Sequence, residues 1–196
     1  MTEFIGFAGN KQVGKDSAAK FAREILEGPG RLCVKVTAFA EPLKEVVSTL
    51  FGIDRKLLFG SNADKNTPTH IKWKTLPEFI QNQFGRWEGN LTIREVTQIF
   101  GTDIIRKMFD EDAWVRATLS KDWSNYDVVI ISDVRLPNEK KAIEAMGGKV
   151  MFLERHTGLF DAHSSENALR KEDFETHFVN DGSFQDLKNA VRKFVL

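Results

Sequence analysis

Two spacings of apolar residues alternate along the chain and predict strands that are separated by helices. Short apolar runs at 4–7, 32–39, 128–131 and 150–153 are typical of strands covered on both faces, and 176–179 predicts a last strand. Three- and four-residue apolar spacings predict helices after the first run and from about Pro42, Thr92, Pro137 and Ser183. This order predicts a three-layer α/β/α sandwich with a mostly parallel sheet.

The connection between the first strand and the first helix carries the strongest chemical signal. Gly9, four further residues and then Gly14-Lys15 match the glycine-rich phosphate loop. Small residues let backbone N–H groups point at phosphate oxygens, and a helix N-terminus adds partial positive charge. Asp16 stands where the general pattern has Ser or Thr, and a carboxylate is also a good ligand for Mg²⁺. The loop predicts a nucleotide site, against the alternative of a glycine-containing loop with an exposed lysine.

A second signal follows the apolar run at 128–131, which leads into Ser132-Asp133-Val134-Arg135. In open α/β sheets the ligand binds beyond the carboxyl ends of the strands. We therefore expect Asp133 and Arg135 beside the phosphate loop, where an aspartate can support Mg²⁺ and an arginine can clamp a phosphate. The competing interpretation is a strand-end turn with a salt-bridged pair.

A polar stripe lies along the helix that begins near Thr92, where Glu95 completes a capping box. Its members stand at four-residue steps and are Arg94, Gln98, Thr102 and Arg106. On spacing alone such a stripe is more often a solvated face than a binding surface. Gly101, between them, permits close approach of a neighbouring element.

Composition and charge exclude several classes of protein. The chain has 196 residues, and 28 Lys and Arg are balanced by 28 Asp and Glu, so no basic field indicates a nucleic-acid partner. The length predicts one domain, 1–196, and no apolar run is long enough to span a membrane. Cys33 is predicted to be a small core residue and allows no internal disulfide. We therefore expect a cytoplasmic protein without nucleic-acid or membrane partners.

Several motifs, taken in order, resemble those of the phage-type deoxynucleoside monophosphate kinases, a branch of the P-loop nucleoside monophosphate kinases. They span nearly the whole chain and are Gly14-Lys15-Asp16-Ser17, Phe39 to Lys44, Arg94 to Arg106, Trp114, Asp133 to Glu139 and His163 to Glu166. The resemblance implies a P-loop kinase fold with an acceptor-binding region at about 41–115 and a lid at about 155–169. It also implies transfer of the γ-phosphoryl group of ATP, with Mg²⁺, to a deoxynucleoside 5′-monophosphate, which gives the diphosphate.

The resemblance further implies a role for each candidate residue. ATP phosphates would be held by Asn10, Lys11, Val13, Gly14, Lys15, Asp16 and Ser17, and Mg²⁺ by Asp16 and Asp133. The monophosphate would be bound by Lys44, Arg94, Thr102, Asp103, Arg106, Trp114, Arg135 and Glu139. Catalytic roles fall to Lys15, Asp16, Asp133, Arg135 and Arg155, the last closing from the lid. The mechanism would be positioning with charge neutralisation, without a covalent intermediate.

Two alternatives stay open at the level of sequence. A kinase with the same loop could act on another small acceptor, such as dephospho-coenzyme A or phosphomevalonate. A non-catalytic module could instead couple ATP binding to the assembly of a partner. Neither the preferred base nor the oligomeric state follows from these motifs, although related enzymes often form homodimers. A phage-encoded protein would act in the host-cell cytoplasm.

Overall fold

The computed structural model describes residues 2–28, 32–156 and 169–196. The chain divides into two compact units, which we call unit 1 (Met1–Phe39 and Val115–Leu196) and unit 2 (Ala40–Trp114). Unit 2 has nearly the same bounds as the predicted acceptor-binding region. The role of that region, like the single-domain prediction, stays a prediction.

The regular elements alternate much as the apolar spacings predict. The described strands are β1 (Glu3–Ala8), β2 (Val34–Thr37), β3 (Pro68–Lys72), β4 (Asn90–Thr92), β5 (Val128–Val134), β6 (Lys149–Glu154) and β7 (Thr176–Val179). The described α-helices are α1 (Lys15–Leu26), α2 (Ala40–Phe51), α3 (Arg55–Leu58), α4 (Asn62–Lys65), α5 (Glu78–Phe84), α6 (Ile93–Gln98), α7 (Ala113–Leu119), α8 (Pro137–Ala145) and α9 (Phe184–Val195). A π-helical segment covers Ile99–Phe109, and short 3₁₀ helices cover Trp73–Thr75 and Lys171–Asp173.

Unit 1 is built on a parallel sheet, whose five described strands lie in the order β2-β5-β1-β6-β7. Alternate residues of β5 face opposite sides, because side chains of a strand alternate across the sheet. Val128 and Ile130 pack into a core with α1 and α9, and Val129 and Ile131 pack into a second core with Ile143 of α8. The two cores confirm the predicted three-layer α/β/α sandwich.

One local prediction in unit 1 differs from the structure. Cys33 is exposed instead of being a core residue, because β2 begins at Val34, where it first pairs with Val128 of β5. Strand β5 extends through Val134, so Asp133 lies near its carboxyl end, as the sequence predicts. The last strand and the capping box of Ser183 at the start of α9 agree with the sequence.

Unit 2 has a core of its own beneath short helices and the antiparallel pair β3-β4. The predicted capping box of Thr92 and Glu95 is present at the start of α6. The helix continues as the π-helical segment, a wider turn than the α-helix that the four-residue stripe assumes. A side chain at Gly101 would crowd the neighbouring helix, since a Cβ at this position would lie 2.4 Å from Cδ2 of Leu43 on α2. No described helix is long and apolar enough to cross a membrane.

Candidate functional site

The glycine loop of unit 1 connects β1 to α1 and has a backbone that side chains would disturb. Gly9 and Gly14 have φ angles of 136° and 101°, which are rare for residues with a side chain. A Cβ on Gly9 would lie 2.1 Å from the carbonyl oxygen of Leu153 on β6. The loop is therefore packed tightly against the carboxyl end of β6, where this class of sheet binds its ligands.

Lys15, the first residue of α1, is buried, with 7% of its surface exposed. Its Nζ atom donates hydrogen bonds to the carbonyl oxygens of Gly9 (2.6 Å) and Asn10 (2.5 Å). Burial, helped by the positive charge of Arg135, lowers the pKa of Lys15 to about 8. This placement contradicts the alternative of an exposed lysine and puts the ammonium inside the curve of the loop.

The charges around Lys15 are those that the sequence predicts. Asp133 and Asp16 are close enough to oppose the effect of Arg135 on the pKa of Lys15, so the structure brings the four side chains together in unit 1. Asp133 is fixed in place, because its Oδ1 atom accepts a hydrogen bond from the backbone N–H of Phe39 (2.7 Å). Asp16 is exposed in the first turn of α1.

The donor set is chemically suited to Mg²⁺ bound together with a nucleotide. Protein sites for Mg²⁺ commonly offer one or two carboxylates and leave the remaining positions to water and phosphate oxygens. Asp16 and Asp133 would be such a pair of hard oxygen ligands, and this role stays a prediction. Among the described residues no group of three or more His, Cys, Asp or Glu side chains is arranged to hold a metal ion.

Glu139 contacts the backbone beside Arg135. It is buried, and its Oε2 atom accepts hydrogen bonds from the backbone N–H groups of Arg135 (2.7 Å) and Leu136 (3.1 Å). These bonds fix the entry into α8 and thereby the position of Arg135. The predicted contact of Glu139 with the monophosphate stays a prediction.

Asn180 is a residue of this site that the sequence did not indicate. It follows β7 directly, is buried, and its Nδ2 atom donates a 2.9 Å hydrogen bond to the carbonyl oxygen of Val13. Its backbone N–H donates to the carbonyl oxygen of Glu154 (2.7 Å). In the sequence Asn180-Asp181-Gly182 is typical of a turn, and no short-range pattern connects it to a loop far away in the chain.

The chain leaves β6 through Arg155 and His156. His156 pairs with Asp181 (Nδ1–Oδ2 2.5 Å), and this hydrogen bond raises the pKa of His156. Arg155 lies near enough to help lower the pKa of Asp181, after the larger effects of the hydrogen bonds with His156. Most of the predicted lid, residues 157–168, lies outside the described residues, as does the motif His163 to Glu166. The closing role of Arg155 stays a prediction.

In unit 2, each cation predicted to bind the monophosphate contacts polar or aromatic groups. Arg94 donates from Nε to Oδ1 of Asn66 (3.1 Å) and from a terminal nitrogen to Oδ1 of Asn62 (3.0 Å). Lys44 lies over the ring of Phe59 (4.7 Å to the centroid), and Arg106 donates to the carbonyl oxygen of Glu111 (3.4 Å). Asn62 is the first residue of α4, and Asn66 directly follows its last residue.

The other three predicted substrate residues of unit 2 lie on or beside the π-helical segment. Asp103 is buried, and its Oδ1 atom accepts hydrogen bonds from Gln83 (2.9 Å) and Lys107 (2.6 Å). Its Oδ2 atom is buried without a hydrogen-bond partner among the described residues. Trp114 is also buried and donates its indole N–H to the carbonyl oxygen of Gly101 (3.0 Å), while Thr102 is half-buried. Their contacts with a nucleoside stay predictions.

Comparison with known proteins gives a consistent result. The family model described as "Deoxynucleotide monophosphate kinase" matches residues 43–191. This match begins after the glycine loop, so the loop is an independent observation.

Three relatives carry the same description. A putative deoxynucleotide monophosphate kinase of Acanthamoeba polyphaga mimivirus is 28% identical over 95% of this chain and 93% of its own length. The deoxynucleotide monophosphate kinase of Escherichia phage RB69 is 30% identical over 63% of this chain and 51% of its own length. That of Enterobacteria phage T4 is 29% identical over 65% of this chain and 54% of its own length. The matches thus span about half the length of the two phage relatives.

Proposed function

The chain belongs to the deoxynucleotide monophosphate kinase family, and we propose that it transfers the γ-phosphoryl group of ATP to a deoxynucleoside 5′-monophosphate. The observation that carries the proposal is the buried Lys15, held inside a glycine loop at the start of α1. A buried cation is costly unless an anion arrives to compensate it, and nucleoside triphosphates carry such an anion.

The residues of unit 1 supply the positive charges and hydrogen-bond donors for the transfer. Backbone N–H groups of the loop and the ammonium of Lys15 bind the phosphates of ATP and draw negative charge away from the leaving oxygen. Arg135, whose backbone is fixed by Glu139, binds phosphate oxygens of the acceptor and holds it for attack. Mg²⁺ would be held by Asp16 and Asp133, and it would neutralise charge on the phosphates.

The cations of unit 2 are proposed to contribute to the acceptor phosphate. Arg94 is chemically suited to this role, because its two described partners are neutral amide oxygens. By contrast, Arg23, Arg55 and Arg86 each pair with a glutamate. When a guanidinium is held by neutral groups, those groups do not offset its positive charge. Such a guanidinium can therefore attract a dianionic phosphate more strongly than one paired with a carboxylate.

The test is an ADP-release assay with Mg²⁺ and ATP, run against each deoxynucleoside monophosphate, each ribonucleotide and a control without acceptor. We expect release that depends on one or more deoxynucleotides. Lys15→Ala should abolish transfer while the protein stays folded by circular dichroism. Arg135→Ala should raise the KM for the monophosphate much more than the KM for ATP.

Three outcomes would argue against parts of this assignment. ATP binding without release on any deoxynucleotide would favour another small acceptor or a non-catalytic ATP-binding module. Near-normal turnover of Lys15→Ala would contradict the loop as the ATP site. Equal effects of Arg135→Ala on both substrates would mean that this arginine does not act on the acceptor alone.

A further inference from the structure

The carbonyl oxygen of Val13, the residue before Gly14, is held by a side chain from the opposite end of the chain. Nδ2 of Asn180 donates to this oxygen at 2.9 Å, and Asn180 is 6% exposed. The asparagine is itself anchored, because its backbone N–H is bonded to the carbonyl oxygen of Glu154 on β6. The orientation of one peptide group in the loop is therefore set by the sheet.

Fixing this carbonyl also fixes the N–H group of the next residue. A trans peptide group is planar, and its C=O and N–H bonds point in opposite directions. With the Val13 oxygen held toward Asn180, the N–H of Gly14 must point to the other face of the loop. A loop whose N–H groups are aimed in advance binds phosphate without reorganisation at the moment of binding.

The space around Gly14 shows which face of the loop a ligand can reach. A Cβ on Gly14 would lie 2.5 Å from Nδ2 of Asn180 and 3.6 Å from Cδ2 of Leu187, so protein atoms already fill that side. A phosphate is therefore excluded from that side, and the Gly14 N–H points away from the Asn180 amide. The absence of a side chain at Gly14 therefore leaves room for the buried amide of Asn180, and this amide holds the Val13 carbonyl oxygen.

We propose that Asn180 is a positioning residue of the ATP site, which orients the Val13–Gly14 peptide so that its N–H binds a phosphate oxygen. The inference rests on the proposed function only in taking the glycine loop as the triphosphate site. It assigns Asn180 no contact with the nucleotide, since its amide faces the outer side of the loop.

The experiment measures binding of ATP and of inorganic triphosphate, which carries the phosphates without base or ribose, by calorimetry. Asn180→Leu keeps the size and branching of the side chain but removes the donor, and Asn180→Asp replaces the donor with an acceptor. We expect the Kd of both ligands to rise about five- to tenfold in Asn180→Leu, the worth of one hydrogen bond. Asn180→Asp should show at least the same rise, while the Kd of the deoxynucleoside monophosphate stays within about twofold.

The matched control is Asn189→Ala, which removes an exposed amide of α9 whose oxygen accepts a hydrogen bond from Gln185 of the same helix. It should bind both phosphate ligands as the wild type does. Unchanged triphosphate binding in Asn180→Leu would overturn the proposal. So would an equal loss of triphosphate and monophosphate binding together with a lowered Tm, which is the result of a purely structural role.

A measurement on the wild-type protein keeps the proposal testable if the variants do not fold. In ¹⁵N-labelled protein, inorganic triphosphate should shift the amide resonance of Gly14 among the most strongly affected signals. If the amide resonance of Gly14 does not shift while those of its neighbours do, the proposal that the Gly14 N–H binds phosphate is refuted. Both experiments measure binding and not phosphoryl transfer. A failure of the proposed function would therefore leave the role of Asn180 intact, and the two failures can be distinguished.

Discussion

Lys15 should take up a proton when the triphosphate binds. Burial lowers the pKa of Lys15 in the free protein to about 8, so its amine is only partly charged in mildly basic solution. Phosphate oxygens next to the amine favour its charged form and restore a high pKa. From these two states, binding should take up about 0.5 proton at pH 8 and about 0.9 at pH 9. A lysine with the ordinary pKa would take up almost none at pH 9.

The assay is titration calorimetry of ATP into the protein at pH 8 and pH 9, without monophosphate, in buffers of high and low ionisation enthalpy. The slope of the observed enthalpy against the ionisation enthalpy gives the number of protons taken up. Lys15→Arg is the matched control, because a guanidinium stays protonated throughout this range and should show no uptake. Equal uptake by wild type and Lys15→Arg, or a wild-type value near zero at pH 9, would refute the reasoning.

The same pKa has a consequence for the stability of the free protein. The folded state, with the lowered pKa, binds fewer protons than the unfolded state between pH 8 and the ordinary value of 10.5. The contribution of Lys15 to the free energy of unfolding therefore rises with pH through this window, by at most about 3 kcal/mol. Lys15→Met, which keeps the length without the charge, should lose that rise in parallel urea titrations.

Two further predictions concern unit 2. Asn66→Asp should raise the KM for the monophosphate several-fold with little effect on the KM for ATP, because the new carboxylate would offset the positive charge of Arg94. The same change at the exposed Asn82 of α5 is the control. If both variants have the same KM for the monophosphate, Arg94 is not an acceptor ligand. Gly101→Ala should lower the free energy of unfolding by about 1–3 kcal/mol, because the Cβ of the new alanine would overlap the side chain of Leu43. When Leu43→Ala is added to the same chain, denaturant titrations should show that part of this loss is recovered. Additive losses in the double variant would contradict that overlap.

The sequence predicts those parts of the fold that depend on local pattern. Continuous apolar runs located β1, β5 and β6, and the glycine spacing located the loop between β1 and α1. Asp133 and Arg135 could be placed near Lys15 because parallel strands share one carboxyl edge.

Features that depend on distant neighbours could not be found in this way. The role of Asn180 arises only when β7 is placed beside β6, and nothing within a few residues of it marks that role. The π-helical turns at Ile99–Phe109 follow an apolar spacing that also suits an α-helix. The exposure of Cys33 depends on where β2 first meets β5, which the apolar run at 32–39 does not reveal.

The position of β5 between β1 and β2 constrains the order in which the protein can fold during synthesis. β1 and β2 leave the ribosome first, but each pairs with β5 and not with the other. About 90 residues separate Thr37 from Val128, which takes roughly 5 to 20 s to translate at common rates. Unit 2, by contrast, is continuous in sequence and has its own core. Unit 2 can therefore fold while the apolar β1 is still unpaired, and during that interval β1 is open to aggregation and to binding by chaperones.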